Sequence, residues 1–67
     1  MEYELAELTE AKRQIDSTLH KLYETVKTFE AKENAARYKS QITLAKRRIK
    51  AFEIAVSFIE AEIARKS

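Results

Sequence analysis

An apolar stripe that changes sides half-way along the chain limits its fold more than any other feature. In the first half, Met1, Leu5, Leu8, Ile15, Leu19, Leu22, Val26 and Phe29 recur in alternating steps of three and four, with Lys12 in the one missing slot. In the second half, Tyr38, Ile42, Ala45, Ile49, Phe52, Val56, Ile59 and Ile63 do the same. Each set is a heptad seam along one helix face. The two are out of phase. Extending the first register gives Glu33, Ala36, Ser40, Thr43, Arg47 and Lys50, which are mostly polar. From Phe29 to Tyr38 is nine residues, and at ~100° per residue this is roughly half a turn out of register. A straight rod of ~65 residues, about 98 Å long, would wear its stripe on opposite sides of its two halves. A reversal near residues 30–36 instead brings the seams face to face. The pattern therefore predicts an all-α antiparallel hairpin in a single domain, 1–67. Helix one is expected over about 2–30, a turn over about 31–34 and helix two over about 35–66. Asn34, in the polar stretch Glu30-Ala31-Lys32-Glu33-Asn34, suits a left-handed turn position or a cap on the second helix. Asp16-Ser17-Thr18 is the other candidate break, but the seam runs through it.

Composition agrees. Gly and Pro are both absent, where average usage would put roughly five and three in this length. Without them, tight turns and hairpin corners are hard to make, and long helices are favoured. The lack of Cys removes disulfides and thiolate metal sites. It fits a cytoplasmic setting better than a small secreted domain. The start, "MEYELAEL", has neither the basic beginning nor the apolar stretch of a signal peptide. No apolar run approaches a membrane span, and no membrane association is expected.

The two-helix hairpin leaves one face unexplained. Helix two carries Leu44, Ala51 and Phe58 at seven-residue spacing off its seam, widened by Ile54, Ala55 and Ala61. A helix apolar on more than one side is usually buried on more than one side. The expected partner is a second copy, giving a two-fold dimer and a four-helix bundle. Leu44, Ala51, Ile54, Ala55, Phe58 and Ala61 are then the interface residues. Tyr3 and Tyr23 lie off the first seam, where they either pack across such a dimer or stay half-exposed.

Charge is unevenly spread. Residues 1–31 sum to −3 and residues 32–67 to +5. Between 32 and 50 there are seven cations and only Glu33 against them. The densest stretch is "KRRIK", residues 46–50. Ile49 belongs to the seam, so Lys46, Arg47, Arg48 and Lys50 fall at flanking and outer positions, where a solvated face is the ordinary outcome. Arg37 and Lys39 extend the basic character toward the turn. Lys46 and Lys50 repel across one turn, whereas Glu33–Arg37 and Glu62–Lys66 are favourable pairs at i,i+4. In a symmetric hairpin, 46–50 would lie opposite roughly 16–20, where only Asp16 answers. Unmatched cations recruit phosphates, so a second reading has Arg37, Lys39, Lys46, Arg47, Arg48 and Lys50 contacting a nucleic-acid backbone.

Catalytic signatures are lacking. Asp16, Ser17 and His20 are the residue types of a hydrolytic triad, but they crowd within about one helical turn and lack the concave site and oxyanion donors a triad needs. Asp16, His20 and Glu24 line one helix edge, yet their outer members are ~12 Å apart along the axis, too far to close on one ion. Phosphate-cradling loops need Gly. No catalytic residue, metal, cofactor or small-molecule substrate is expected.

In general layout the chain resembles small bacterial, plasmid or phage helical hairpins that dimerise as four-helix bundles, the Rop-type RNA-binding hairpin among them. No motif matches residue by residue, so no functional position is carried over. The expectation is a non-enzymatic interaction or assembly module acting as a homodimer, in an adaptor or regulatory role with a possible protein partner. The alternative is a nucleic-acid-binding regulator using the basic 37–50 face.

Overall fold

The computed structural model describes residues 2–67; the seam position assigned to Met1 lies outside them. Two long helices, α1 (Leu5–Glu30) and α2 (Lys39–Lys66), pack antiparallel, joined through a short 3-10 helix at Ala35–Tyr38. No described residue lies in a strand.

α1 begins where the Glu7 carboxylate accepts the backbone N–H of Glu4 at 3.0 Å, satisfying a donor that the first turn would otherwise leave open. It runs unbroken through Asp16-Ser17-Thr18. The Thr18 hydroxyl bonds back to the Gln14 carbonyl at 3.1 Å, so the polar triplet keeps helical geometry.

The reversal solves the problem posed by a chain without Gly. Among the described residues no backbone takes a positive φ. The turn is instead spread over residues 31–38. Ala31 stays near helical values and donates to the Lys27 carbonyl at 3.1 Å. Lys32 then donates to Phe29 at 3.3 Å, in the tighter i,i+3 pattern. Asn34 leaves the helix at φ −106°, ψ 49°, and its carbonyl accepts from Arg37 at 2.9 Å. Asn34 thus neither turns left-handed nor caps through its side chain, contrary to the sequence expectation. Its backbone opens the 3-10 turn instead. For the same reason α2 begins at Lys39 and not near 35. The Tyr38 ring stacks on Phe29, with centroids 4.9 Å apart, and this contact closes the elbow.

The seams meet as their phases require. Leu19, Val26, Ala45, Ile49 and Val56 form the buried cluster, with Ile15, Leu22, Ile42 and Phe52 packed against it. Leu8 is buried nearer the open end. Leu5, the outermost described seam residue of α1, is 42% exposed at the open end of the hairpin. Lys12 fills its seam slot half-buried, its ammonium reaching Asp16 at 2.8 Å. The stem covers apolar surface while the charge stays wet.

Among the described residues no side chain is fully buried. The molecule measures 47 × 15 × 15 Å. Its Cα radius of gyration is 15.1 Å, against about 11 Å for a compact chain of this length.

Candidate interaction surface

The second apolar face of α2 is exposed. At ~100° per residue, the Leu44–Ala51–Phe58 row sits about 140° around the helix from the seam. α1 therefore cannot reach it. Phe58 is 73% exposed, and Leu44 and Ile54 are each about half exposed. Ala51 and Ala61 are also exposed, and Ala55 is half-buried where the row meets the seam. All six residues named from the sequence thus lie on one continuous strip outside the hairpin core.

The KRRIK cluster divides around this strip. Lys46 and Lys50, with Lys39, fall on the flank of α2 that also carries the cross-helix polar contacts. There Lys46 pairs with Glu30 at 3.1 Å, and the Tyr23 hydroxyl donates to Glu53, which pushes the Tyr23 phenol pKa up. Arg47 and Arg48 stand at the N-terminal end of the apolar strip, one heptad before Ile54 and Ala55 respectively. Neither has an ion-pair partner among the described residues, nor do Arg37, Lys39 and Lys50. The acid facing the cluster is Glu30, and the sequence reading that named Asp16 is corrected. The eight-residue connector offsets the helices axially, and Asp16 is already taken by Lys12.

Other expected pairs also change. Glu33 lies in the connector, outside α-helical geometry, and makes no bridge to Arg37 among the described residues. Glu62 pairs with Arg65 instead of Lys66. The Arg65 guanidinium also reaches Glu2 at 3.3 Å, tying the two ends of the hairpin together. Arg65 holds the Glu62 carboxyl below its ordinary pKa. Likewise Arg13, with Gln14, holds Glu10 at about 2.

Tyr3 and Tyr23 are half-exposed on α1's side of the molecule, away from the strip. Two open grooves flank the helix pair. One, about 480 Å³, lies beside the elbow between Glu30, Lys39, Ile42 and Lys46. The other, about 310 Å³, lies at the open end between Tyr3, Leu8 and Ile59. Neither is lined by Asp16, Ser17 or His20, all of which are exposed on α1. Among the described residues, no three His, Cys, Asp or Glu side chains gather where they would hold a metal ion. No helix of the described residues is long and apolar enough to cross a membrane.

Comparison with protein-family models, curated proteins and solved structures finds no match to this chain. The functional reading therefore rests on the surface itself.

Proposed function

We propose that this chain is a non-enzymatic assembly module that works as a homodimer, two hairpins joining through the outer strip of α2 into a four-helix bundle. Any adaptor or regulatory role would be exercised through the protein contacts of that bundle. The observation that carries the reading is Phe58, 73% exposed at the C-terminal end of an apolar row on a chain that is otherwise rich in charge.

Area supports it. The hairpin exposes 5409 Å², whereas a compact monomeric protein of 7.8 kDa exposes about 4,400 Å². The excess, about 1,000 Å², is close to what one partner contributes to a standard interface, ~800 Å². Exposed contiguous apolar surface of this kind marks an interaction site more often than a solvated one. Sedimentation equilibrium at micromolar concentration is expected to return twice the chain mass. A well-folded monomer at that concentration would overturn the reading.

The division of the cations favours this reading over nucleic-acid binding. Lys46 is engaged by Glu30, and the two arginines border the apolar strip, so the six basic residues do not form one phosphate-facing row. The expected result of a mobility-shift assay with RNA and duplex DNA at low salt is no complex. A complex whose affinity falls steeply with added salt, and which Lys39→Gln with Lys50→Gln weakens, would restore the nucleic-acid reading.

A further inference from the structure

Resting on the dimer reading, we infer that the two copies of α2 cross the interface antiparallel, with Arg47 and Arg48 of each copy set against Glu62 of the other and Phe58 set against Ala51. The argument begins from the charges on the strip. Its N-terminal end carries Arg47 and Arg48, both without ion-pair partners among the described residues. Its C-terminal half carries Glu62 on the same side of the helix.

A parallel pairing would set each charge against its own copy: Arg47 against Arg47, Arg48 against Arg48, Glu62 against Glu62. Like charges brought together across an interface oppose association. An antiparallel pairing exchanges these contacts for two symmetric sets of opposite charges. Glu62 already holds the Arg65 guanidinium of its own helix, and a carboxylate has lone pairs enough to accept a second guanidinium. The arginines that border the strip then form the polar rim that surrounds a buried apolar centre in stable interfaces.

Side-chain size sets the register. If the two-fold axis falls between Ile54 and Ala55, Arg47 lies level with Glu62 of the second copy. Phe58 lies level with Ala51, and Ile54 with Ala55. Phe58 and Ile54 then each face an alanine, the arrangement that lets helices interdigitate without voids, while Leu44 lies level with Arg65 at the edge of the strip. The strip is thus complementary to itself in charge and volume, which is the property an isologous two-fold interface requires.

The chain has no natural cysteine, so single-cysteine variants report the geometry directly. In the antiparallel register, two copies of Ala55→Cys lie beside the axis, and a short bis-maleimide is expected to link them. Two copies of Ala61→Cys lie ~20 Å apart along the helices, and the same reagent is expected to leave them unlinked. In parallel, both variants would link. Independently, Arg47→Glu and Glu62→Arg are each expected to weaken dimerisation about tenfold or more in sedimentation equilibrium, and the double variant is expected to recover most of the loss. Both positions lie outside the buried cluster, so the hairpin should survive these changes. A dimer in which Ala61→Cys links as readily as Ala55→Cys, or in which the two charge reversals do not rescue each other, overturns the antiparallel inference but leaves the homodimer standing. A wild-type chain that sediments as a monomer removes both.

Discussion

Replacing Phe58 with Asp is expected to leave a chain that sediments as a monomer at micromolar concentration, with the dimer dissociation constant raised ~100-fold or more. Burying one Phe side chain contributes about 1.5–3 kcal/mol, and the two-fold symmetry makes every substitution count twice. The loss is therefore about 3–6 kcal/mol, where each 1.4 kcal/mol is roughly tenfold in affinity. The incoming carboxylate adds a desolvation cost without a partner. Circular dichroism in the cold should still report helix, because Phe58 lies outside the buried cluster of the hairpin. Unchanged sedimentation of this variant would show that the dimer, if one forms, uses another surface.

The complementary expectation concerns the seam. Ile49 is 9% exposed within the buried cluster. Truncation to Ala should cost about 2–5 kcal/mol. At ~4–8 °C per kcal/mol for a domain of this size, the thermal midpoint should fall by roughly 10–40 °C. Leu44→Ala, on the outer strip, is the control. Because Leu44 is half exposed in the hairpin, its truncation should act mainly through dimerisation, where a midpoint depends on protein concentration by mass action. Melting curves at several concentrations separate the two. Ile49→Ala should lower the midpoint throughout the series, whereas the drop caused by Leu44→Ala should vanish at the dilute end, where the wild type is itself monomeric, and grow to its full size at the concentrated end. Equal behaviour of the two variants would contradict the assignment of Leu44 to the outer strip and Ile49 to the seam.

Azimuth was legible in the sequence and axial offset was not. The phase slip between Phe29 and Tyr38 predicts the reversal, and the seam residues from Leu8 to Ile63 face inward as their spacing requires. The outer row from Leu44 to Ala61 was legible for the same reason, since spacing fixes the angle around a helix. A repeating pattern looks the same after a shift of seven residues, however, so it does not say which residue meets which. That depends on how much chain the turn consumes. Here the 3-10 segment Ala35–Tyr38 and the Phe29–Tyr38 stack lengthen the elbow, and Lys46 arrives beside Glu30 rather than near Asp16. The elbow itself was misread because Asn34 has the chemistry of a left-handed turn residue, while the backbone reverses by small steps that any residue tolerates. The pairing of Glu62 with Arg65 rather than Lys66 reflects a choice between two adjacent cations, both within reach on a helix.

The covalent elbow gives the two halves of this architecture different thermodynamic standing. Residues 31–38 hold α1 and α2 at an effective concentration of order millimolar, so their pairing is insensitive to dilution. Under the proposed assembly, the outer strip has no such tether and is covered only when free copies meet. A sparse population would be well-formed hairpins with an uncovered greasy edge, and a dense one would be closed bundles. Copy number itself would then decide whether that edge is on offer to another protein.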